Sequence, residues 1–196
     1  MNSQLTKVVV STDGQDIAKM ASAYGADAIM RPPEYATDDC RIELAVKHAL
    51  DETERLEGEY AAVMLLQNSS PLRTTYDINR CIELFQLLEY DTIVSITDIH
   101  EHPYKIKVIE KSQLRSWMPE MDCEFYRRQD LPPMYIDNGA IYLTKRDMFL
   151  KYERMIAGKC GAYFMPRERS IDVHDAYDAI MAEALIRKGI LDKGFL

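Results

Sequence analysis

Short apolar runs that alternate with amphipathic stretches fix the fold class of this chain. "KVVVSTD" (7–13) is a short apolar run ending in polar residues, "YAAVMLLQ" (60–67) an unbroken apolar run with one polar residue at its end, and "DTIVSITDI" (91–99) a further strand-like segment rich in β-branched residues. Runs of this length read as strands covered on both faces. Between them, "GQDIAKMASAYG" (14–25), "RIELAVKHALDETERLEG" (41–58) and "TYDINRCIELFQLLEY" (75–90) read as helices, the first closed by Gly25. "ADAIM" opens a further strand before Pro32-Pro33 breaks it. Strand alternating with helix specifies an α/β fold whose mostly parallel sheet has right-handed crossovers. Residues 100–135, mixing proline, charge and one short alternating run "KIKVI", read as an excursion from that sheet. The main layers then resume with "IDNGAIYLT" (136–144) as strand, "KRDMFLKYERMI" (145–156) as helix, "GAYFMP" (161–166) as strand and a last helix ending near Gly189.

A chain of 196 residues suits one such domain. Its net charge of −8 leaves no basic excess for phosphate backbones, which excludes general nucleic-acid binding. None of the four cysteines (Cys40, Cys81, Cys123, Cys160) forms a CxxC pair, so free thiols in a reducing cytoplasm are expected. No signal peptide and no apolar run long enough to cross a bilayer is present, so no membrane partner is expected. The sequence contains neither GxGxxG nor GxxxxGK[ST], the glycine-rich phosphate cradles.

Polar residues gather where the strands end: Ser11 to Asp13, Gln67 to Arg73, and Asp172 with His174. Ligands of open parallel sheets bind outside those carboxyl ends. In "SIDVHDAYD" (170–178), Asp175 and Asp178 have the spacing of a helix N-cap and its third residue. Asp172 and His174 alternate with Ile171 and Val173, so a short strand would put both on one face. From this stretch alone, a solvated strand end and a metal-binding pair both stay open. His48 reads as an ordinary helical histidine, and His100 with His102 lacks a third ligand in reach by sequence.

The segments "VVVSTD", "RPPEYATD", "LLQNSSPLR", "HPYK", "RRQDLPPMYIDNGAIY" and "RSIDVHDAYD" stand in an order that resembles the acylneuraminate cytidylyltransferases, the CMP-sialic acid synthetases. "LLQNSSPLR" with "NGAIY" separates that family from the related pseudaminic acid enzymes. The similarity runs from about Val8 to Ala184. It implies a three-layer, mostly parallel nucleotidyltransferase (Rossmann-like) fold over residues 1–196, with 100–135 as a dimerisation arm. It implies transfer of CMP from CTP to a sialic acid with release of pyrophosphate, assisted by Mg²⁺, in a cytoplasmic homodimer whose arms reach the partner's site. It places Arg31 against the cytidine and Gln67 against the sugar acid. Lys105 and Arg128 would meet the carboxylate, for which an arginine fork is suited. Asn138 and Tyr142, four residues apart in a strand and hence expected on one face, would line the same pocket. Met155 and Ile156 fall where the family has apolar residues around the acyl group; helix core is their alternative. Asp172 and His174 fall on a pair of magnesium-binding aspartates.

The sequence departs from the family in three places. The family's opening strand and its phosphate-wrapping loop have no counterpart here, so a first strand is expected to be absent beside "KVVVSTD". The residues after Asp38 read Asp39-Cys40-Arg41-Ile42, where the family has small hydroxyl residues near the cytosine. His174 replaces an aspartate; imidazole suits softer metals than Mg²⁺, so Mn²⁺ becomes an alternative. The competing expectation is a non-catalytic, truncated paralogue that binds a sugar acid or a full-length partner. A third keeps the chemistry and changes the sugar, to legionaminic acid or 3-deoxy-octulosonate.

Overall fold

The computed structural model describes residues 4–119 and 127–189. Eight strands and five helices follow in the order β1 (Val9–Thr12), α1 (Gln15–Ala23), β2 (Asp27–Met30), α2 (Ile42–Glu57), β3 (Ala62–Leu65), α3 (Thr75–Leu87), β4 (Thr92–Asp98), β5 (Lys107–Glu110), β6 (Gln113–Ser116), β7 (Tyr135–Lys145), α4 (Arg146–Tyr152), β8 (Cys160–Phe164) and α5 (Ala176–Arg187). The principal strands and helices read from the sequence reappear, most of them shortened at their ends and β7 lengthened by one residue at each. Helix α4 stops early because Glu153 turns left-handed at φ 48°. Residues 170–174 form no strand.

The central sheet has the order β3-β7-β4-β8. Strands β3, β4 and β8 run the same way, and β7 runs against β3 and β4. The α/β architecture is therefore as expected, with one reversed strand inside it. Two clusters cover the faces. On one, Cys81, Ile78, Ile82 and Phe85 of α3 pack on Ile93, Ile141, Leu143 and Tyr163. On the other, Leu50 and Val46 of α2 and Phe149 of α4 pack on Val63, Leu65 and Tyr142. Each fully buried side chain of this size contributes about 1.5–3 kcal/mol. Arg146 clasps Glu54 through Nε and Nη2 at 2.7 and 2.9 Å and so locks α4 to α2.

Strands β1 and β2 form a separate parallel pair. Among the described residues nothing pairs with the second edge of β1 or of β3, the place where the resemblance set a further strand. The arm carries a hairpin, β5–β6, joined by Lys111 and Ser112 at φ 49° and 65°. Positive φ at both turn residues matches the twist of the flanking strands.

Arg169 and Asp77 form a buried ion pair beneath the strand ends. Arg169 Nε and Nη2 donate to the two carboxylate oxygens at 3.0 and 2.8 Å, and the pair is 2% and 0% exposed. Tyr163 Oη donates to the same carboxylate at 2.9 Å, and Thr74 adds its N–H and hydroxyl at 2.9 and 2.7 Å. Burial alone would push the Asp77 carboxyl up; the bonds from Arg169, Thr74 and Tyr163 overturn that and hold it below the usual range. A carboxyl depressed by folding adds stability above its unfolded value of about 3.9 and loses it as pH falls through the folded value. Asp77→Asn should cost about 3–5 kcal/mol in urea denaturation at pH 7, because it strands a buried guanidinium. The gap between wild type and variant should narrow below about pH 4.

Candidate active site

Strand β3 ends at Leu65, and the chain turns sharply through residues 67–70, where Ser70 N–H donates to the Gln67 carbonyl at 3.4 Å. Across from this turn, β7 leaves its register with β4. Tyr142 pairs with Val94 and Asp137 with Ile96, so Ser95 alone faces residues 138–141. Gly139 sits in this bulge at φ 71°. A Cβ there would lie 2.7 Å from Gln67 Oε1, 3.4 Å from Asp172 Oδ2 and 3.4 Å from Ser70 Oγ. Bare backbone is thus the floor of a polar cluster drawn from three separate chain segments.

Asp172 reaches the cluster from an irregular segment held at three points. Arg169 anchors one end through Asp77. Ser170 Oγ accepts from Asn138 Nδ2 at 2.8 Å, and Val173 N–H donates to the Ser69 carbonyl at 2.7 Å. The expected cap follows: Asp175 Oδ1 accepts from the Tyr177 and Asp178 N–H groups at 2.8 and 3.0 Å, and Asp178 Oδ2 accepts from Asp175 N–H at 3.3 Å. Asp172 Oδ2 lies 2.8 Å from His174 Nε2. Its Oδ1 is buried without a hydrogen-bond partner. Such an oxygen favours a cation.

The residues singled out by sequence are distributed unevenly. Gln67 and Asp172 converge, with His174 bonded to Asp172. Asn138 stands behind them, 5% exposed, and its amide is spent within the protein. Its Oδ1 accepts from Ser95 Oγ at 2.6 Å and from Ala140 N–H at 3.2 Å, while Nδ2 serves Ser170. The one-face argument for Asn138 and Tyr142 fails, because the Gly139 bulge breaks the alternation. Asn138 bonds to Met165 Sδ in the α3 cluster, whereas Tyr142 packs in the α2–α4 cluster. Tyr142 Oη donates to Asp137 Oδ2 at 3.3 Å; burial, then the charge of Asp137, push its hydroxyl up to about 12. Arg31 is tied to the end of β1, donating from Nε and Nη2 to the Ser11 hydroxyl and carbonyl at 3.2 and 2.7 Å. Lys105 is exposed on a cleft of about 600 Å³ over the ends of β4 and β8, beside Asp98, Tyr135 and Phe164. Arg128 opens a short 3-10 turn, and its side chain lies outside the described residues, as does Cys123.

Met155 is corrected to core. It is 4% exposed against Leu50 and Phe149. The Thr144 hydroxyl donates to its carbonyl, and Thr144 pairs with Val63 and Thr92 at the opposite end of the sheet from Gln67. Ile156 beside it is exposed. Arg41, in the loop that departs from the family, donates Nη2 to the Glu153 carbonyl at 2.7 Å. His102 is a structural pin, its Nδ1 accepting from Tyr104 N–H at 3.3 Å and its Nε2 meeting the Pro132 carbonyl at 3.1 Å.

The family profile described as cytidylyltransferase matches residues 1–184. The chain belongs to the cytidylyltransferase family. It is 31% identical to an N-acylneuraminate cytidylyltransferase of Escherichia coli over 93% of this chain and 42% of that one. It is 28% identical to the post-translational flagellin modification protein B of Campylobacter coli, over 95% of this chain and 80% of the relative. The chain thus spans less than half the length of the first relative. A solved structure of CMP:2-keto-3-deoxy-manno-octonic acid synthetase complexed with CTP superposes with a TM-score of 0.59, at 14% identity, over 93% of this chain and 82% of the other; the fold is shared.

Ser70 and Arg73 lie within the Gln67-to-Arg73 segment expected at the strand ends, with no role read for either from the sequence, and Gly139 joins them in this cytidylyltransferase's site without having been singled out by sequence. Glycine inside a strand pattern marks a bulge or a close approach, so "DNGAI" did carry a signal for Gly139. Gly139→Ala should cost about 1–3 kcal/mol for a side chain at positive φ. Its Cβ should also displace Gln67, which a crystal structure of the variant would reveal.

Proposed function

We propose that this chain transfers CMP from CTP to the anomeric hydroxyl of an acylneuraminate and releases pyrophosphate. The observation that carries this reading is the convergence of Gln67 and Asp172 on the bare backbone of Gly139, with the second carboxylate oxygen of Asp172, Oδ1, left without a hydrogen-bond partner. Gln67 would bond the sugar acid, Lys105 and Arg128 its carboxylate, and Arg31 the cytidine. The work of these residues is positioning and neutralisation, because in-line displacement at phosphorus needs no covalent nucleophile from the protein.

The donor set fits a divalent cation of the hard class. Mg²⁺ is held by one or two carboxylates and fills its other positions with water and phosphate oxygens. Asp172 supplies such an oxygen; among the described residues no group of three His, Cys, Asp or Glu comes together, so water and phosphate oxygens would fill the remaining positions. When bound, the ion would neutralise charge on the phosphates. His174, exposed and bonded to Asp172, stands close enough to join as a ligand, which would favour Mn²⁺.

Dimerisation through the arm belongs to the same reading. On the β5–β6 hairpin, Ile109 and Leu114 form a cross-strand pair, 77% and 70% exposed, with Trp117 open beside them. Trp117 does not bury itself within the arm, and an interface would cover it. Among the described residues no helix is long and apolar enough to cross a membrane, and Cys40, Cys81 and Cys160 are free thiols, which suits a cytoplasmic setting.

Purified protein should release pyrophosphate from CTP with N-acetylneuraminate, and a panel with legionaminic acid and 3-deoxy-octulosonate reads out the sugar. No turnover with either metal would reject catalysis by this chain. Sugar binding without CTP binding in calorimetry would then favour the non-catalytic reading. Asp172→Asn should lower kcat at least about a hundredfold, the loss expected for a ligand of a charge-neutralising metal. His174→Asp should raise activity with Mg²⁺ relative to Mn²⁺; an unchanged metal preference puts His174 outside the coordination shell.

A further inference from the structure

Arg73 closes the "NSSPLR" turn and points under the site. Its Nη1 donates to the Gln67 carbonyl at 3.1 Å and to the Ala140 carbonyl at 2.7 Å. One nitrogen therefore ties the end of β3 to the Gly139 bulge of β7. The rest of the guanidinium donates no hydrogen bond to the described residues, and none of the ion pairs among them includes Arg73. The charge of Asp77 acts on Arg73 from a distance, but the carboxylate itself is clasped by Arg169. Burial also holds Arg73 below the ordinary arginine value. The side chain is half-buried, and its remaining nitrogens are not among the buried unpartnered atoms, so an oxyanion brought to the site can reach them and form charge-assisted bonds.

We infer that Arg73 is an anion-orienting residue of the site, its charge answered by an oxyanion of the bound ligand and its carbonyl clamp fixing Gln67 over Gly139. The inference rests on the proposed substrates, which offer two such oxyanions: the sugar carboxylate and the nucleotide phosphates. A purely structural clamp would hold the backbone and be indifferent to ligand charge.

The test is calorimetry on wild type, Arg73→Lys and Arg73→Met, each checked for a native circular dichroism spectrum. The ligands are N-acetylneuraminate against its methyl ester, and CTP against cytidine. In Arg73→Met, one charged ligand should weaken about tenfold while its neutral counterpart holds, as expected for a lost bond between charged groups. Arg73→Lys, which keeps the charge, should retain most of the preference. The pair that responds identifies the anion. Equal losses within both pairs, or none, would overturn the assignment while leaving the substrate reading intact. A wild-type protein that binds none of the four ligands removes both.

Discussion

The buried pair of Asp77 and Arg169 is the contact on which the rest of the strand-end architecture depends. Asp77 does three jobs with one carboxylate. It completes the capping box that starts α3, receives the Tyr163 hydroxyl from β8, and takes the bidentate grip of Arg169. Arg169 stands three residues before Asp172. The segment carrying Asp172 has no helix or sheet bonds of its own, so its position is inherited from α3 and β8. Removing either charge would break a buried bidentate pair, which ties the geometry of the site to the packing of the core.

The layers were legible because they follow from periodicity. Unbroken apolar runs became strands covered on both faces, and Asp175 with Asp178 formed the cap their spacing implied. The reversed direction of β7 was not legible: a strand buried on both faces looks the same from either end. Of the two readings left open for Met155, pocket or core, the fold selects core: antiparallel β7 carries the chain back to the far end of the sheet before Met155 is buried.

In the site, the sequence marked the groups that carry chemistry and missed the groups that hold them. Gln67 and Asp172 stand out as polar residues at strand ends. Ser70 and Arg73 fall in the polar Gln67-to-Arg73 segment, but only the fold reveals that they bond the carbonyls of Asn138 and Ala140. Long-range partners of this kind, 68 and 67 residues apart, leave no trace in local spacing.

The bulge in β7 explains why this sheet can hold a polar site at all. A regular strand would present alternate side chains to the two apolar clusters and seal the end of the sheet. Instead Ser95 alone answers residues 138–141, bonding both Asn138 Oδ1 and the Ile141 N–H, at 2.6 and 2.8 Å. Those bonds replace the ladder contacts that the bulge gives up, so the backbone pays little for its irregularity. What the irregularity yields is Gly139, a residue without a side chain placed where Gln67, Ser70 and Asp172 meet. Any side chain there would press on Gln67 Oε1, 2.7 Å from its Cβ. The same bulge sends Asn138 inward to brace the Asp172 segment while Tyr142 turns to the opposite face. Site and scaffold are therefore separated by a single change of backbone direction.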